Sequence, residues 1–381
     1  MKIKSKLNKK FIPVNTLKLF TQEKKNVLNC LNTGWISSQG KFVDQFEKKF
    51  AKLNKRRFGV TVSNGTAALE IALKSLELKK NDEVIIPTFT IISSILCIIK
   101  LGLKPILVDA DINNWNMSVD ETIKKITNKT RAIIITHIYG YPVDMKRILN
   151  ISKKRGIKVI EDAAEMIGQN YNNKPCGSFG DMSTFSFYAN KHITTGEGGM
   201  VLTNNKKLFL KLKSLRNLCF GTKENRYNHD DIGYNYRLSN IQAAIGCGQL
   251  ENINWIVKRK REVGTRYYQK LKNNPLITLQ EPSNKFSKNI YWVVGIIANN
   301  KGKFNKNFLI KYLKKKGIDT RSFFFPMNKQ EIIKKLNIFN KKEKFPTSEY
   351  LFNNGFYLPS GVGIKNVQID YICHQLNKLF K

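Results

Sequence analysis

Lys191 closes the stretch Ser183-Thr-Phe-Ser-Phe-Tyr-Ala-Asn-Lys191 and leads straight into His192-Ile-Thr-Thr-Gly-Glu-Gly-Gly-Met200. An amine at the end of an aromatic, serine-containing strand, followed by a Gly-rich turn, is placed to bond covalently to an aldehyde cofactor. The chain contains 66 Lys plus Arg, so one lysine carries no weight without its context. Ser63-Asn-Gly-Thr-Ala-Ala68 sets a Gly at a strand-to-helix turn and a hydroxyl at the helix start. Free N–H groups and the helix dipole there attract a phosphate, although Asn64 or Thr66 can equally serve as an ordinary helix cap. Ile160-Glu-Asp-Ala-Ala-Glu165 places Asp162 at a strand end, as partner for a protonated pyridine nitrogen or as a plain cap. Phe89, after Pro87-Thr88, is a candidate for stacking on a flat ring or for the core. Ser186 can donate to a phosphate or sit satisfied in the core.

These residues follow short apolar runs. Phe58-Gly-Val-Thr-Val62, Glu83-Val-Ile-Ile86, Pro105-Ile-Leu-Val108, Ala132-Ile-Ile-Ile-Thr136 and Lys158-Val-Ile-Glu161 read as strands buried on both faces. The segments between them can supply crossover helices, beginning with Gly65 to Leu76. The pattern predicts an α/β fold with a mainly parallel central sheet flanked by helices. In such sheets ligands bind beyond the carboxyl ends of the strands, where Asn64-Gly65-Thr66, Pro87 to Phe89, His137 to Gly140 and Asp162 to Glu165 should converge. A long helical stretch spans about Asn240 to Leu271. Beyond it, a strand signal at Ile290 to Val294 and a helix from Asn307 to Lys316 predict a smaller C-terminal α+β domain. The expected division is 1–255 for the large domain with its N-terminal segment and 256–381 for the small one.

At 381 residues, with 41% hydrophobic and 11% aromatic content, the chain can bury a large core. Its longest apolar run, Ile91 to Ile99, is well short of the roughly 20 residues a membrane helix needs. The N-terminus lacks the apolar region of a signal peptide. Cysteines 30, 97, 176, 219, 247 and 373 are scattered, with no C-x-x-C pair, which predicts free thiols in the cytoplasm and no metal site. The net charge of +38 invites a nucleic-acid reading. Its lysines, however, are spread over nearly every segment among Asn and Ile, with no basic stripe interleaved with aromatics, so no nucleic-acid or membrane partner is expected.

In order and combination these motifs resemble the nucleotide-sugar aminotransferase family of fold-type I pyridoxal 5'-phosphate (PLP) enzymes. The likeness runs over roughly residues 11–378. It is carried by Gly34-Trp-Ile-Ser-Ser38, Ser63 to Leu69, Pro87-Thr-Phe-Thr90, Glu161-Asp-Ala-Ala-Glu165 and Phe185 to Lys191 with its Gly-rich tail. Gly233-Tyr-Asn-Tyr-Arg-Leu-Ser-Asn240, Gln242-Ala-Ala244, Gln249-Leu-Glu251 and Gly317 to Pro326 extend it.

The resemblance implies that Lys191 is the catalytic residue and holds PLP. It also implies that Asp162 pairs with the pyridine nitrogen, that Gly65, Thr66 and Ser186 hold the phosphate, and that Phe89 lies over the ring. Glu165 stands where much of the family has Gln or His near the cofactor's 3-hydroxyl. Asn235 would reach the phosphate in the neighbouring subunit of a homodimer with shared active sites, and Arg237 and Arg321 are candidate substrate contacts. Sugar 3-dehydratases of the superfamily carry His at the lysine position; Lys191, followed by His192, implies amino transfer from L-glutamate, releasing 2-oxoglutarate, to a nucleotide-linked keto-sugar. Thr320 to Met327, His137 to Gly140 with Asp144-Met145, and Glu165 are most similar to members that form GDP-perosamine by aminating C4 of GDP-4-keto-6-deoxy-D-mannose. Such enzymes usually serve O-antigen and lipopolysaccharide synthesis. The same scaffold serves UDP- and dTDP-linked keto-sugars and an eight-carbon keto acid. A non-catalytic regulatory or nucleic-acid-binding protein on this fold is opposed by the intact Lys191, Asp162 and phosphate set.

Overall fold

The computed structural model describes residues 11–221, 225–340 and 342–380. The Val/Ile runs form β1 (Phe58–Val62), β2 (Glu83–Pro87), β3 (Lys104–Val108), β4 (Thr130–Thr136) and β5 (Lys158–Asp162). A short hairpin, β6 (Asn170–Tyr171) and β7 (Lys174–Pro175), precedes β8 (Met182–Ser186) and β9 (Gly199–Thr203). Seven of these strands make one sheet in the order β1-β9-β8-β5-β4-β2-β3. All its neighbours pair in parallel except β9, which is antiparallel to both β1 and β8. The alternation of side chains across the pleat explains why apolar residues occupy consecutive positions of these runs. Val84, Ile86, Ile134 and Ile160 pack in a core on one face; Ile85, Ile133, Ile135 and Val159 pack in a second core on the other.

A four-stranded antiparallel sheet carries the C-terminal part: β10 (Ile277–Leu279), β11 (Val294–Ala298), β12 (Arg321–Ser322) and β13 (Gly355–Leu358), ordered β10-β11-β13-β12. It has its own core with the helices Lys306–Lys315 and Asn366–Asn377. The layout is α/β, with a smaller α+β unit. Position 255 falls in the first turn of the helix Ile253–Leu271. Not all of the later chain stays with the small sheet: Met327, Ile333 and Phe345 are buried in a core of the large one.

Two local readings are corrected. The stretch from Asn240 to Leu271 is not one helix but two, Asn240–Glu251 and Ile253–Leu271, broken at Asn252. The Asn252 side chain donates back to Gly248 O (3.0 Å), which ends the first helix locally. The strand signal at Ile290 to Val294 also starts too early, because Tyr291 has a left-handed backbone (φ 50°) and strand pairing begins only at Val294. Asn289 Oδ1 accepts from Tyr291 N–H (2.8 Å) and turns the chain there.

Candidate active site

The carboxyl ends of β1, β5 and β8 meet at a cavity of about 340 Å³, lined by Gly65, Thr66, Asp162, Glu165, Ser186 and Lys191. Thr90, Thr136, Tyr188, Asn190, Trp292, Phe324 and Tyr357 complete much of its wall. Six of the residues singled out in the sequence are therefore brought together.

Local bonding places each one. The loop after β8 ties itself to Phe187: Phe187 N–H donates to Gly198 O (2.8 Å), and Thr195 N–H and Thr194 Oγ1 both donate to Phe187 O (3.0 Å each). Lys191 N–H donates to Tyr188 O (2.9 Å), so the lysine sits in a bonded turn. The Lys191 side chain is largely buried (12% exposed), with Nζ 4.0 Å from Glu165 Oε1 and 4.1 Å from the centroid of the Trp292 ring. Burial pushes its ammonium below the usual lysine range, opposed by the charges of Glu165 and Asp162. Burial likewise pushes Glu165 above the usual carboxylate range, against the pull of Lys191 and the N–H of Tyr139.

Asp162, nearly fully buried, lies in register with Thr136 on β4 and Thr184 on β8. Its Oδ1 accepts from Ala164 N–H (3.2 Å), and burial holds the carboxyl above its ordinary range. One residue earlier, Glu161 serves structure instead. Its Oε1 accepts from His137 Nε2 (3.0 Å) and Gly177 N–H (2.6 Å), and its Oε2 accepts from Phe179 N–H (2.9 Å). His137 Nδ1 accepts from Val143 N–H (3.1 Å), which puts the ring proton on Nε2. His137, Glu161 and Cys176 offer ligand atoms within 4.8 Å of one another. The first two are spent on these hydrogen bonds, and burial holds the Cys176 thiol well above its normal range, away from the thiolate a metal needs.

At the helix Gly65–Lys74, Asn64 does cap, accepting from Ala67 N–H (2.8 Å). That leaves the first N–H groups of the helix, at Gly65 and Thr66, facing the cavity without intrahelical acceptors. The turn is close-packed: a Cβ on Gly199 would lie 2.3 Å from Asn64 O, and one on Gly65 would lie 2.9 Å from Ser186 Cβ. Glycine at both positions lets the Ser186 hydroxyl and the helix start share one concavity.

The other predicted residues lie elsewhere. Phe89 is not among the cavity-lining residues, though its ring lies beside Phe324, which is. Phe89 is 1% exposed, with its ring against Tyr139 (5.9 Å), Phe323 (6.1 Å) and Phe324 (6.2 Å), while the chain presents Thr90 to the cavity. Asn235 is on the surface; Arg237 Nη1 donates to Asn217 Oδ1 (2.6 Å), and Arg321 pairs with Asp319 (2.7 Å). None of these three is among the cavity-lining residues. Conversely, Trp292, Phe324, Tyr357, Tyr188 and Asn190 are lining residues that sequence reasoning missed. Tyr188 and Asn190 stand inside the Lys191 motif and could have been found by proximity; Trp292 and Tyr357 carry no local signal.

The donor set fits PLP on observations independent of any name. Thr90 Oγ1, Thr136 Oγ1 and Asn190 Oδ1 are buried wall atoms without a hydrogen-bond partner, a cost that a polar ligand relieves. A carboxylate, an amine and an anion-binding helix start converge around them.

Comparison with known proteins agrees. Residues 18–377 match the model of the DegT/DnrJ/EryC1/StrS aminotransferase family. The chain is 42% identical to the GDP-perosamine synthase of Escherichia coli O157:H7, over 97% of this chain and 99% of that one. Among solved structures it is similar to PseC of Helicobacter pylori, an aminotransferase of pseudoaminic acid biosynthesis. That likeness has a TM-score of 0.91 and 25% identity, over 97% and 99% of the two chains. E. coli GDP-4-keto-6-deoxy-D-mannose-3-dehydratase, solved with bound hydrated PLP, follows at TM-score 0.88 and 25% identity, over 96% and 99%. With a largely buried lysine, a buried aspartate and a glycine-led helix start at the strand ends of a sheet, and with residues 18–377 matched, this chain belongs to the PLP-dependent DegT/DnrJ/EryC1/StrS aminotransferase family.

Proposed function

We propose that this enzyme transfers the amino group of L-glutamate to C4 of GDP-4-keto-6-deoxy-D-mannose, giving GDP-perosamine and 2-oxoglutarate. The observation that carries the reading is the buried amine of Lys191, set between Glu165 and Trp292 in the cavity. The choice of sugar is supported by the 42% identity to a GDP-perosamine synthase over nearly the full length of both chains.

When bound, PLP supplies an electron sink for the carbon that loses its proton. Everything else falls to the chain. Lys191 would anchor the cofactor and, when its amine is free, would take the Cα proton of glutamate and return a proton to the reacting unit. In the second half it works in reverse at C4 of the sugar. Free of its cofactor bond, Lys191 has a proton affinity lowered by burial, which favours its action as a base. Asp162 would hold the positive charge of the pyridine ring, an ionic partner that would offset the cost of burying its carboxylate. Gly65, Thr66 and the Ser186 hydroxyl would take the phosphate, and Glu165 would be the carboxylate nearest Lys191 available to the cofactor's 3-hydroxyl. The two halves sum to glutamate plus keto-sugar giving 2-oxoglutarate plus amino-sugar, with no net water.

In this reading the enzyme acts as a homodimer, Asn235 reaching the partner's phosphate and Arg237 and Arg321 meeting anionic groups of the substrate. It works in the cytoplasm on precursors of O-antigen or another surface glycan. Among the described residues no helix is long and apolar enough to cross a membrane. The test is a substrate panel with purified enzyme and L-glutamate. Preferred turnover of the GDP-linked 4-keto-6-deoxyhexose is expected; faster turnover of a UDP- or dTDP-linked keto-sugar rejects the assignment.

A further inference from the structure

The segment His137-Ile-Tyr-Gly140 has a chemistry that the reaction above leaves unused. Tyr139 has a left-handed backbone (φ 61°) and is fully buried. For a bulky residue that conformation is strained and persists only where the surroundings over-determine it. Here they do. Ile138 N–H donates to Asn116 Oδ1 (2.8 Å), and Gly140 O accepts from Gln169 Nε2 (2.9 Å) and from Ile290 N–H (3.2 Å). A Cβ on Gly140 would lie 1.9 Å from Asn289 Oδ1, so the loop is packed to the backbone.

Held this way, Tyr139 uses its two ends on two different parts of the site. Its N–H donates to Glu165 Oε2 (2.7 Å), the carboxylate whose other oxygen faces Lys191. Its Oη accepts from Phe324 N–H (3.0 Å), in the segment that continues from β12 of the small sheet. Between these ends its ring lies nearly parallel to Trp292 (5.8 Å, 17°) and to Phe324 (5.3 Å, 18°). Trp292 is in turn the ring against Lys191 Nζ, and its indole N–H donates to Asn190 O (2.9 Å).

We propose that Tyr139 is a positioning residue that couples the sugar-side segment Arg321 to Pro326 to the Glu165–Lys191 pair. The proposal rests on the aminotransferase reading above. Tyr139 touches no reacting atom. Its hydroxyl sets where Phe324 meets the cavity, and its amide sets the carboxylate beside the lysine, so the wall a sugar presses on is registered to the amine that serves it.

The test compares PLP-loaded wild type with Tyr139→Phe, which keeps ring and amide and removes the acceptor for Phe324 N–H. KM for the keto-sugar should rise about tenfold, as for a lost buried hydrogen bond. The single-turnover reaction with L-glutamate alone should stay within about twofold, since that arm is untouched. Hydrogen exchange across residues 321–327, read without any substrate, should speed up about tenfold. Tyr139→Gly, which removes the ring and relieves the left-handed strain, should slow the glutamate reaction as well, because Trp292 loses its neighbour. An unchanged KM with unchanged exchange in Tyr139→Phe overturns the coupling, and so does equal slowing of both half-reactions. A wild type inactive on every nucleotide keto-sugar would defeat the functional reading alone; the exchange result still judges the tie between Tyr139 and Phe324.

Discussion

On one side of the cavity, Gly65, Thr66, Asp162 and Ser186 stand at the ends of strands of a single sheet. On the other, Trp292, Phe324 and Tyr357 arrive from separate segments of the C-terminal part and meet through stacked rings, Trp292 and Phe324 at 6.4 Å and 10°. The first wall is made by short turns whose geometry is local. The second exists only once the small sheet has packed against the large one. Groups that must do fixed chemistry on one cofactor sit on the rigid wall. In the function proposed above, groups that would meet a variable sugar belong to the assembled wall, where substitution changes shape without disturbing the chemistry.

Lys191→Ala strikes the rigid wall hardest. It should abolish transamination, by at least about a thousandfold, because anchor and proton carrier are lost together. The purified variant should lack the visible band of lysine-bound PLP and be indifferent to borohydride. Retained activity would remove the basis of the comparison. Asp162→Asn comes next, with a fall of about a hundredfold or more in the glutamate half-reaction, since the ring nitrogen loses its ionic partner. Rapid-mixing absorbance measurements read this directly.

The same contrast explains what could be seen from the sequence. Strand runs such as Ala132 to Ile135 are apolar at consecutive positions because both faces are covered, and the residues after each run are placed by that run and the short turn that follows it. Lys191, Asp162, Ser186, Gly65 and Thr66 were legible for this reason. Trp292 was not: it sits beside a left-handed Tyr291, which ended a strand that hydrophobicity alone had begun at Ile290. Phe89 is less local in another way. An aromatic after a strand end is compatible with a ring-stacking role, and its packing against Tyr139, Phe323 and Phe324 depends on segments far away in the chain. The break at Asn252 is a side-chain-to-backbone bond that helical periodicity cannot register.

On the assembled wall the expected effects are smaller. Trp292→Leu removes the ring from Lys191 Nζ and should cost roughly tenfold in kcat/KM, shared between the glutamate and sugar halves because Lys191 serves both. Phe324→Leu, at the next ring of the stack, should cost a fewfold in the sugar half only. If Phe324→Leu slows the glutamate half as much as Trp292→Leu does, the division into a chemical wall and a substrate wall fails.

The smallest effect is on stability, and its sign separates the two walls most cleanly. Burial raises the pKa of Asp162 in the cofactor-free protein. An acid raised on folding contributes stability that is fully present below its unfolded value, near 3.9, and is lost as pH rises through the folded value. Without cofactor, the Asp162 carboxylate is thus a burden at pH 7, on the order of 1 kcal/mol for each unit by which its pKa is displaced. Asp162→Asn should therefore be more stable than wild type at pH 7 in the absence of PLP, the gap closing as the pH falls toward 4. With PLP bound the order should reverse, since the carboxylate then has its cation. Urea unfolding at both pH values, with and without PLP, measures this. Trp292→Leu should show no such reversal: it loses packing in either state, and its cost should be the same sign at every pH. A variant of Asp162 that is less stable than wild type without cofactor would mean that the rigid wall is held by its carboxylate and not strained by it.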